Sequence, residues 1–180
     1  ALVAISVPMQ TALRLGSRVA ERVRGLNPNA HICFYGLYAA LNQAHLFESE
    51  LADSVIGGEY ELALTALAET LRDGGDIEQI AGVATRRTRA LPILARIPAV
   101  VPDRSTLPGL REYAGLATHG QIVRAGYVES TRGCHHTCRH CPVVPIYGGR
   151  FFAVPRGGVL EDIPRRVRHG AGHIPLGGPD

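Results

Sequence analysis

Apolar residues fill the chain from Ala1 to Val7, broken only by Ser6 and ended by Pro8. A continuous apolar run of this length predicts a strand buried on both faces of a parallel sheet. Ala12, Leu15, Val19, Val23 and Leu26 then recur at helical spacing, with Arg14, Arg18, Glu21 and Arg22 between them. That pattern predicts an amphipathic helix from Thr11 to about Arg24. Asn27-Pro28-Asn29 is a turn, and Ala30 to Tyr35 a second strand closed by Gly36. Leu37 to about Phe47 can be helical, and Asp53 to Ile56 is a short third strand followed at once by Gly57-Gly58-Glu59. Tyr60, Ala63, Leu64, Leu67 and Leu71 mark a further helix, stopped by Gly74-Gly75. Strand and helix in alternation mean right-handed βαβ units, hence an α/β fold with a doubly wound parallel sheet.

Around Ile80 to Ala84 the pattern allows a short edge strand or hairpin. Pro92, Pro98, Pro102 and Pro108 then punctuate a stretch without sustained period, which reads as a linker, with Tyr113 and Leu116 docking it onto a domain. We therefore divide the chain into a first domain over 1–97, a linker over 98–120 and the start of a second domain over 121–180. In that second domain a strand-like run spans Ala125 to Thr131, a helix about Leu160 to His169 carries Pro164 in its first turn, and His173 to Leu176 is the next strand.

Composition narrows the function classes. With 46% hydrophobic and 19% charged residues over 180 positions, the chain suits a soluble protein of one full domain or two partial ones. The formal net charge is +3, and every basic residue is Arg. Arg132, Arg139, Arg150, Arg156, Arg165, Arg166 and Arg168 crowd the last third, but no aromatic-interleaved basic patch accompanies them. They read as a solvated face with ligands for phosphates or carboxylates rather than as a nucleic-acid surface. No apolar run reaches the roughly 20 residues a bilayer requires. The N-terminus lacks both an initiator Met and a basic n-region, so the chain reads as cut from something longer.

Three of the four cysteines fall in one short stretch, Arg132-Gly133-Cys134-His135-His136-Thr137-Cys138-Arg139-His140-Cys141-Pro142. Disulfides across such spacings are strained, so these thiolates are expected to share a metal. Without a secretion signal, the cluster argues for a reducing cytoplasm. Gly133 permits a tight turn into the loop. Three sulfur ligands leave a fourth coordination position open. A closed zinc centre is the alternative, with Cys134, Cys138 and Cys141 joined by His135, His136 or His140. Cys33 sits mid-strand as a small buried hydrophobe, and His31, His45 and His119 are ordinary surface or turn residues. His173 is placed near the same loop end.

C-x-x-x-C-x-x-C directly after a strand resembles the signature of the radical S-adenosylmethionine (SAM) enzymes. The resemblance continues through Val159 to Ile163, Gly170 to Ile174 and Gly177-Gly178-Pro179-Asp180, which look like the first helix and second strand of that family's partial TIM barrel. What precedes residue 100 is similar to a Rossmann-like cobalamin-binding domain. The run from Cys141 to Phe151 also looks like a subgroup named for a Cys/Sec-Ala-Glu-Pro tail, which on this reading lies beyond Asp180. The resemblance implies that Cys134, Cys138 and Cys141 hold a 4Fe–4S cluster whose fourth iron chelates S-adenosylmethionine. It implies that His140 packs on adenine, although the family usually has an aromatic residue there. It implies that the backbone at Gly177, Gly178 and Pro179 binds the cofactor's amino group, with the family's acidic position replaced by Gly178 or displaced. Cobalamin, a third cofactor, would lie at the carboxyl ends of the first domain's strands, near Tyr35, Gly36, Gly57, Gly58 and Glu59. The D-x-H-x-x-G motif for a lower axial histidine is absent; the strand that would carry it lies upstream of Ala1 on this reading.

The implied chemistry is reductive cleavage of S-adenosylmethionine to methionine and a 5′-deoxyadenosyl radical. One-electron donors such as flavodoxin or ferredoxin are the implied partners, and methyl transfer or rearrangement the outcome. The substrate is not legible. A chain with so little of the barrel is expected to assemble a cluster without turnover. Two other classes stand beside this one, a zinc-stabilised Cys3His binding module and a non-catalytic corrinoid carrier.

Overall fold

The computed structural model of the chain describes residues 1–95 and 100–178. They form two compact units, one of Ala1–Ala95 with Cys138–Gly148, the other of the described residues within 96–137 and 149–180.

The first unit is built on strands β1 (Leu2–Ser6), β2 (His31–Tyr35), β3 (Ser54–Ile56) and β4 (Val83–Ala84), which lie in that order. β1 and β3 pair parallel to β2, with Ser6 opposite Tyr35 and Tyr35 opposite Ile56. β4 runs antiparallel to β3, so the sheet is mixed where periodicity predicts a parallel one. The helices are α1 (Gln10–Leu26), α2 (Leu37–Leu41), α3 (Gln43–Glu48) and α4 (Glu61–Asp73). β2 alternates between two cores. Ile32 and Phe34 meet α1, α2 and α3 through Leu13, Ala20, Ala39 and Leu46. Cys33 faces the other way, with Ile56, Ala63, Leu67 and Val83.

Three expectations need correction here. β1 is an edge strand whose Ala4 and Ser6 are exposed, so the first apolar run is not buried on both faces. α1 docks through Leu13, Gly16 and Ala20, while Leu15, Val19 and Leu26 stay 59%, 49% and 77% exposed. Small residues let the helix approach closely: a Cβ on Gly16 would come within 2.8 Å of Ile5 and 3.2 Å of Phe34. The predicted helix from Leu37 to Phe47 is broken at Asn42, whose side-chain amide donates to the Tyr38 carbonyl at 2.8 Å. α4 follows its apolar pattern and ends in Gly74 with φ 73°, the left-handed cap that the Gly-Gly pair anticipates.

At the amino ends of the strands Arg24 and Asp53 fasten α1 to the sheet. The guanidinium donates to the Ala30 carbonyl and to the Asp53 carboxylate, both at 2.8 Å, and the same carboxylate oxygen accepts the Ile32 N–H at 2.7 Å. His31 Nε2 lies 2.8 Å from the hydroxyl of the fully buried Ser54.

The second unit is lighter. β5 (Leu116–Thr118) and β6 (Gln121–Val123) make a hairpin that lies across Gln121, where sequence starts the second domain. Its loop residues His119 and Gly120 both have positive φ, 47° and 73°, as a two-residue I′ hairpin requires. β7 (Val128–Glu129) and β10 (Leu176–Gly177) pair in parallel, while β8 (Thr131–Gly133) and β9 (Phe151–Ala153) form an antiparallel pair. Helix α6 (Arg156–Arg168) precedes β10, so β7, α6 and β10 make the βαβ unit that the second domain's pattern predicts. The predicted strands shorten because Pro175 has no N–H to continue the ladder. α6 starts four residues earlier than its apolar pattern suggests, which puts Pro164 inside the helix and not in its first turn. The stretch before the hairpin is tied down by Arg104, whose guanidinium pairs two-fold with the Asp162 carboxylate of α6. Tyr113 and Leu116, expected to dock it, are 51% and 38% exposed.

Two outcomes test this account. Asp162→Ala leaves the 13%-exposed Arg104 without its partner, and urea unfolding of the second unit should show a loss of about 3 kcal/mol. Burial, opposed by the Asp53 charge, holds the His31 imidazole below its ordinary 6.5. The unfolded chain then takes up that proton more readily than the folded one, so stability is full above pH 6.5 and drains away as pH falls through the folded value. His31→Gln should flatten that part of the profile in pH-resolved unfolding.

Candidate metal centre and cofactor cradle

The cysteine loop leaves β8 and returns through β9, whose closing pair is Gly133 opposite Phe151. Sequence periodicity does not reveal this pair, because 17 residues separate its strands. Cys134, Cys138 and Cys141 are free thiols; Cys138 is exposed, the other two half-buried. The His136 N–H donates to Cys134 Sγ at 3.4 Å, and the His135 ring stacks 4.7 Å from that of Phe151. His136 and His140 are exposed. Cys134 belongs to the second compact unit, Cys138 and Cys141 to the first. Among the described residues no group of three His, Cys, Asp or Glu side chains is gathered to hold a metal ion. What fits a metal is the donor set itself, three unpaired thiols within eight residues.

After the third cysteine comes a helix that sequence reading missed, α5 (Val143–Tyr147), with Val143, Ile146 and Tyr147 buried. Its brevity and its Pro145 hide it from periodicity. The Tyr147 hydroxyl donates to Glu59 Oε1 at 2.8 Å. Upstream, Arg132 donates twice to the Glu129 carboxylate, at 2.9 and 2.7 Å.

The glycines near β10 are closely used by the protein. A Cβ on Gly177 would collide with the Tyr127 ring, and one on Gly178 with the Thr131 hydroxyl. The Gly177 carbonyl, part of the backbone assigned to the cofactor's amino group, accepts from the Ser130 N–H at 2.8 Å and the Ser130 hydroxyl at 3.1 Å. Pro179 lies outside the described residues.

In the first unit, the parallel register brings Tyr35, Gly36 and Gly57 to one end of the sheet, as the predicted cradle requires. Gly36 has φ 102° and sits against the Val7 carbonyl, 3.3 Å from where a Cβ would be. Tyr35 is half-buried, its ring 4.7 Å from Tyr60. Gly57, Gly58 and Glu59 are buried. Pro92 lies over Gly57, and Ile93 bridges Gly58 and accepts the Glu59 N–H at 2.7 Å. Tyr35, Gly36 and Gly57 thus share one rim of the sheet, and Pro92–Ile93 packs on Gly57, Gly58 and the Glu59 backbone.

Comparison with known proteins places this geometry. The chain has the fold of a radical S-adenosylmethionine methyltransferase, TsrM of Kitasatospora setae, in a structure with tryptophan substrate and a SAM analogue bound. The TM-score is 0.79 over 99% of this chain and 37% of that one, at 19% identity. A second structure of TsrM, with cobalamin and a [4Fe–4S] cluster bound, matches with a TM-score of 0.71 at 18% identity, over the same shares of the two chains. In sequence, it is 28% identical over 120 residues to the hopanoid C-3 methylase of Methylococcus capsulatus, covering 66% of this chain and 22% of that protein. It is 36% identical over 64 residues to the tRNA-2-methylthio-N(6)-dimethylallyladenosine synthase of Chlorobium phaeovibrioides, covering 36% of this chain and 14% of that protein. No family model matches. In fold the chain is thus similar to radical SAM methyltransferases. It spans about a fifth or less of the curated relatives it matches.

Burial pushes the Cys33 thiol up to about 11. Iodoacetamide near pH 8 should therefore label Cys134, Cys138 and Cys141 of the metal-free folded chain and leave Cys33 untouched until denaturant is added. Peptide mass spectrometry reads this directly, and early labelling of Cys33 contradicts the buried core.

Proposed function

We propose that this chain is the cluster-binding part of a radical SAM enzyme of the methyltransferase kind, with Cys134, Cys138 and Cys141 as ligands of a [4Fe–4S] cluster. The observation that carries the proposal is the set of three free thiols at C-x-x-x-C-x-x-C spacing between β8 and α5. Held by Cys134, Cys138 and Cys141, the cluster would supply the electron for reductive cleavage of S-adenosylmethionine. The chain's own contribution is to hold and tune. The His136 N–H donates to Cys134 Sγ, and Arg132 and Arg139 place positive charge beside the ligands in sequence. His140, Gly177, Gly178 and Pro179 are assigned to the S-adenosylmethionine side of the site. The Gly177 carbonyl keeps its bonds to Ser130 in that assignment, which leaves the shape of the glycine pair as its contribution.

The first unit, with helices on both faces of its sheet, is proposed as a Rossmann-like domain of the cobalamin-binding type. Support comes from the strand ends that Tyr35, Gly36 and Gly57 bring together and from the cobalamin held by TsrM. Pro92–Ile93 closes the part of the cradle at Gly57, Gly58 and Glu59, so those residues do not fit an open corrin site and no step is derived through it. A one-electron donor of the flavodoxin or ferredoxin kind would serve the cluster, in a reducing compartment such as the cytoplasm. Among the described residues no helix is long and apolar enough to cross a membrane. The barrel that would cover a substrate is proposed to lie in further units of the βαβ kind.

Anaerobic reconstitution with iron and sulfide, followed by reduction and electron paramagnetic resonance, tests the proposal. A [4Fe–4S] signal that shifts when S-adenosylmethionine is added, and that disappears in Cys134→Ala, Cys138→Ala and Cys141→Ala, is the expected result. Tightly held zinc in place of iron and sulfide would overturn it in favour of the Cys3His module.

A further inference from the structure

The mechanism leaves one buried polar pair unused. Glu59 is 2% exposed and Tyr147 9% exposed, and the hydroxyl of the second donates to the carboxylate of the first at 2.8 Å, across 88 positions of sequence. A buried carboxylate is costly unless it is hydrogen-bonded, and an apolar pair of similar size would fill the same space without that requirement. What the polar pair adds is direction, because a hydrogen bond holds only over a narrow range of distance and angle.

The two partners are held very differently. Glu59 belongs to the end of the sheet: its N–H is fixed on the Ile93 carbonyl, and Gly58 beside it takes φ 69° under the same carbonyl, where a Cβ would collide. Tyr147 closes α5, a helix of five residues that packs on α2 and is too short to be stable alone. From Tyr147 an almost continuous series of backbone bonds leads back to the cysteines. Gly148 donates to Val144 at 2.8 Å, Val144 to Cys141 at 3.4 Å, and Cys141 to Cys138 at 3.2 Å. Whatever fixes Tyr147 therefore fixes the backbone of the second and third cysteines.

From this we infer that Glu59 and Tyr147 are positioning residues for the metal centre: their bond anchors α5 to the sheet and sets where the Cys138 and Cys141 thiols stand. The inference rests on the cluster proposed above. It assigns Glu59 to the cysteine loop, in place of the corrin contact expected from sequence.

The test uses the whole chain, reconstituted anaerobically, with the rate of iron loss to a chelator as one readout and amide hydrogen exchange at Cys141, Val144 and Gly148 as the other. Tyr147→Phe should lose iron about tenfold faster than the parent and exchange those amides faster by a similar factor, the scale of one lost buried hydrogen bond. Glu59→Gln keeps an acceptor for the hydroxyl and should stay within about twofold of the parent. Leu67→Ala weakens the sheet through α4 without touching α5, and should leave both rates near the parent's under conditions where the variant is folded. Iron loss and exchange in Tyr147→Phe equal to the parent's overturn the inference, as does Leu67→Ala matching Tyr147→Phe in both. A parent chain that binds no iron overturns the cluster proposal and the positioning role with it; exchange in the metal-free chain then decides separately whether the anchor exists.

Discussion

Strand β2 sets the condition that the first unit satisfies. Ile32, Cys33 and Phe34 are closed to water on successive faces, and consecutive strand residues point to opposite sides, so neither side of the sheet can be left bare. One helix layer cannot meet that demand. α1, α2 and α3 cover Ile32 and Phe34, α4 covers Cys33, and the parallel register that follows carries the ends of β1, β2 and β3 to a single rim. The residues at that rim are placed by the burial of residues well away from it.

The sequence exposes this part of the fold because its signals are local and strong. The apolar run at the amino end, the Ala30–Tyr35 strand, the α4 stripe and its Gly74 stop each depend on neighbours within a few positions. It misleads where tertiary contact chooses among faces. Leu15, Val19 and Leu26 look like the buried side of α1, yet Leu13, Gly16 and Ala20 take it, since closeness to Ile5 and Phe34 decides the docking. It is silent where structure depends on pairing at a distance, as with β8 on β9, or on a helix of a single turn or so, as with α5.

The cysteine motif is legible in sequence as a donor set: three thiols at that spacing, which are free and, among the described residues, not gathered on one point. The roles around it are not. Gly177 and Gly178 read as ligand-facing backbone, whereas the structure also uses them to admit Tyr127 and Thr131. Glu59 read as part of a cofactor cradle because it follows a strand and two glycines, and no local signal ties it to Tyr147. Neighbours in space that are distant in sequence are what periodicity cannot supply.

Helix α6 carries its own weakness and its remedy side by side. Pro164 has no N–H to give to the Leu160 carbonyl, so the helix is interrupted in its own bonding near its middle. The Asp162 side chain, two residues before that gap, is the one clamped by Arg104. The helix thus behaves like a notched beam pinned beside the notch. It is pinned from outside, by a residue that precedes even the β5–β6 hairpin, and a stretch that sequence reads as a connector becomes the strut that ties the helix down.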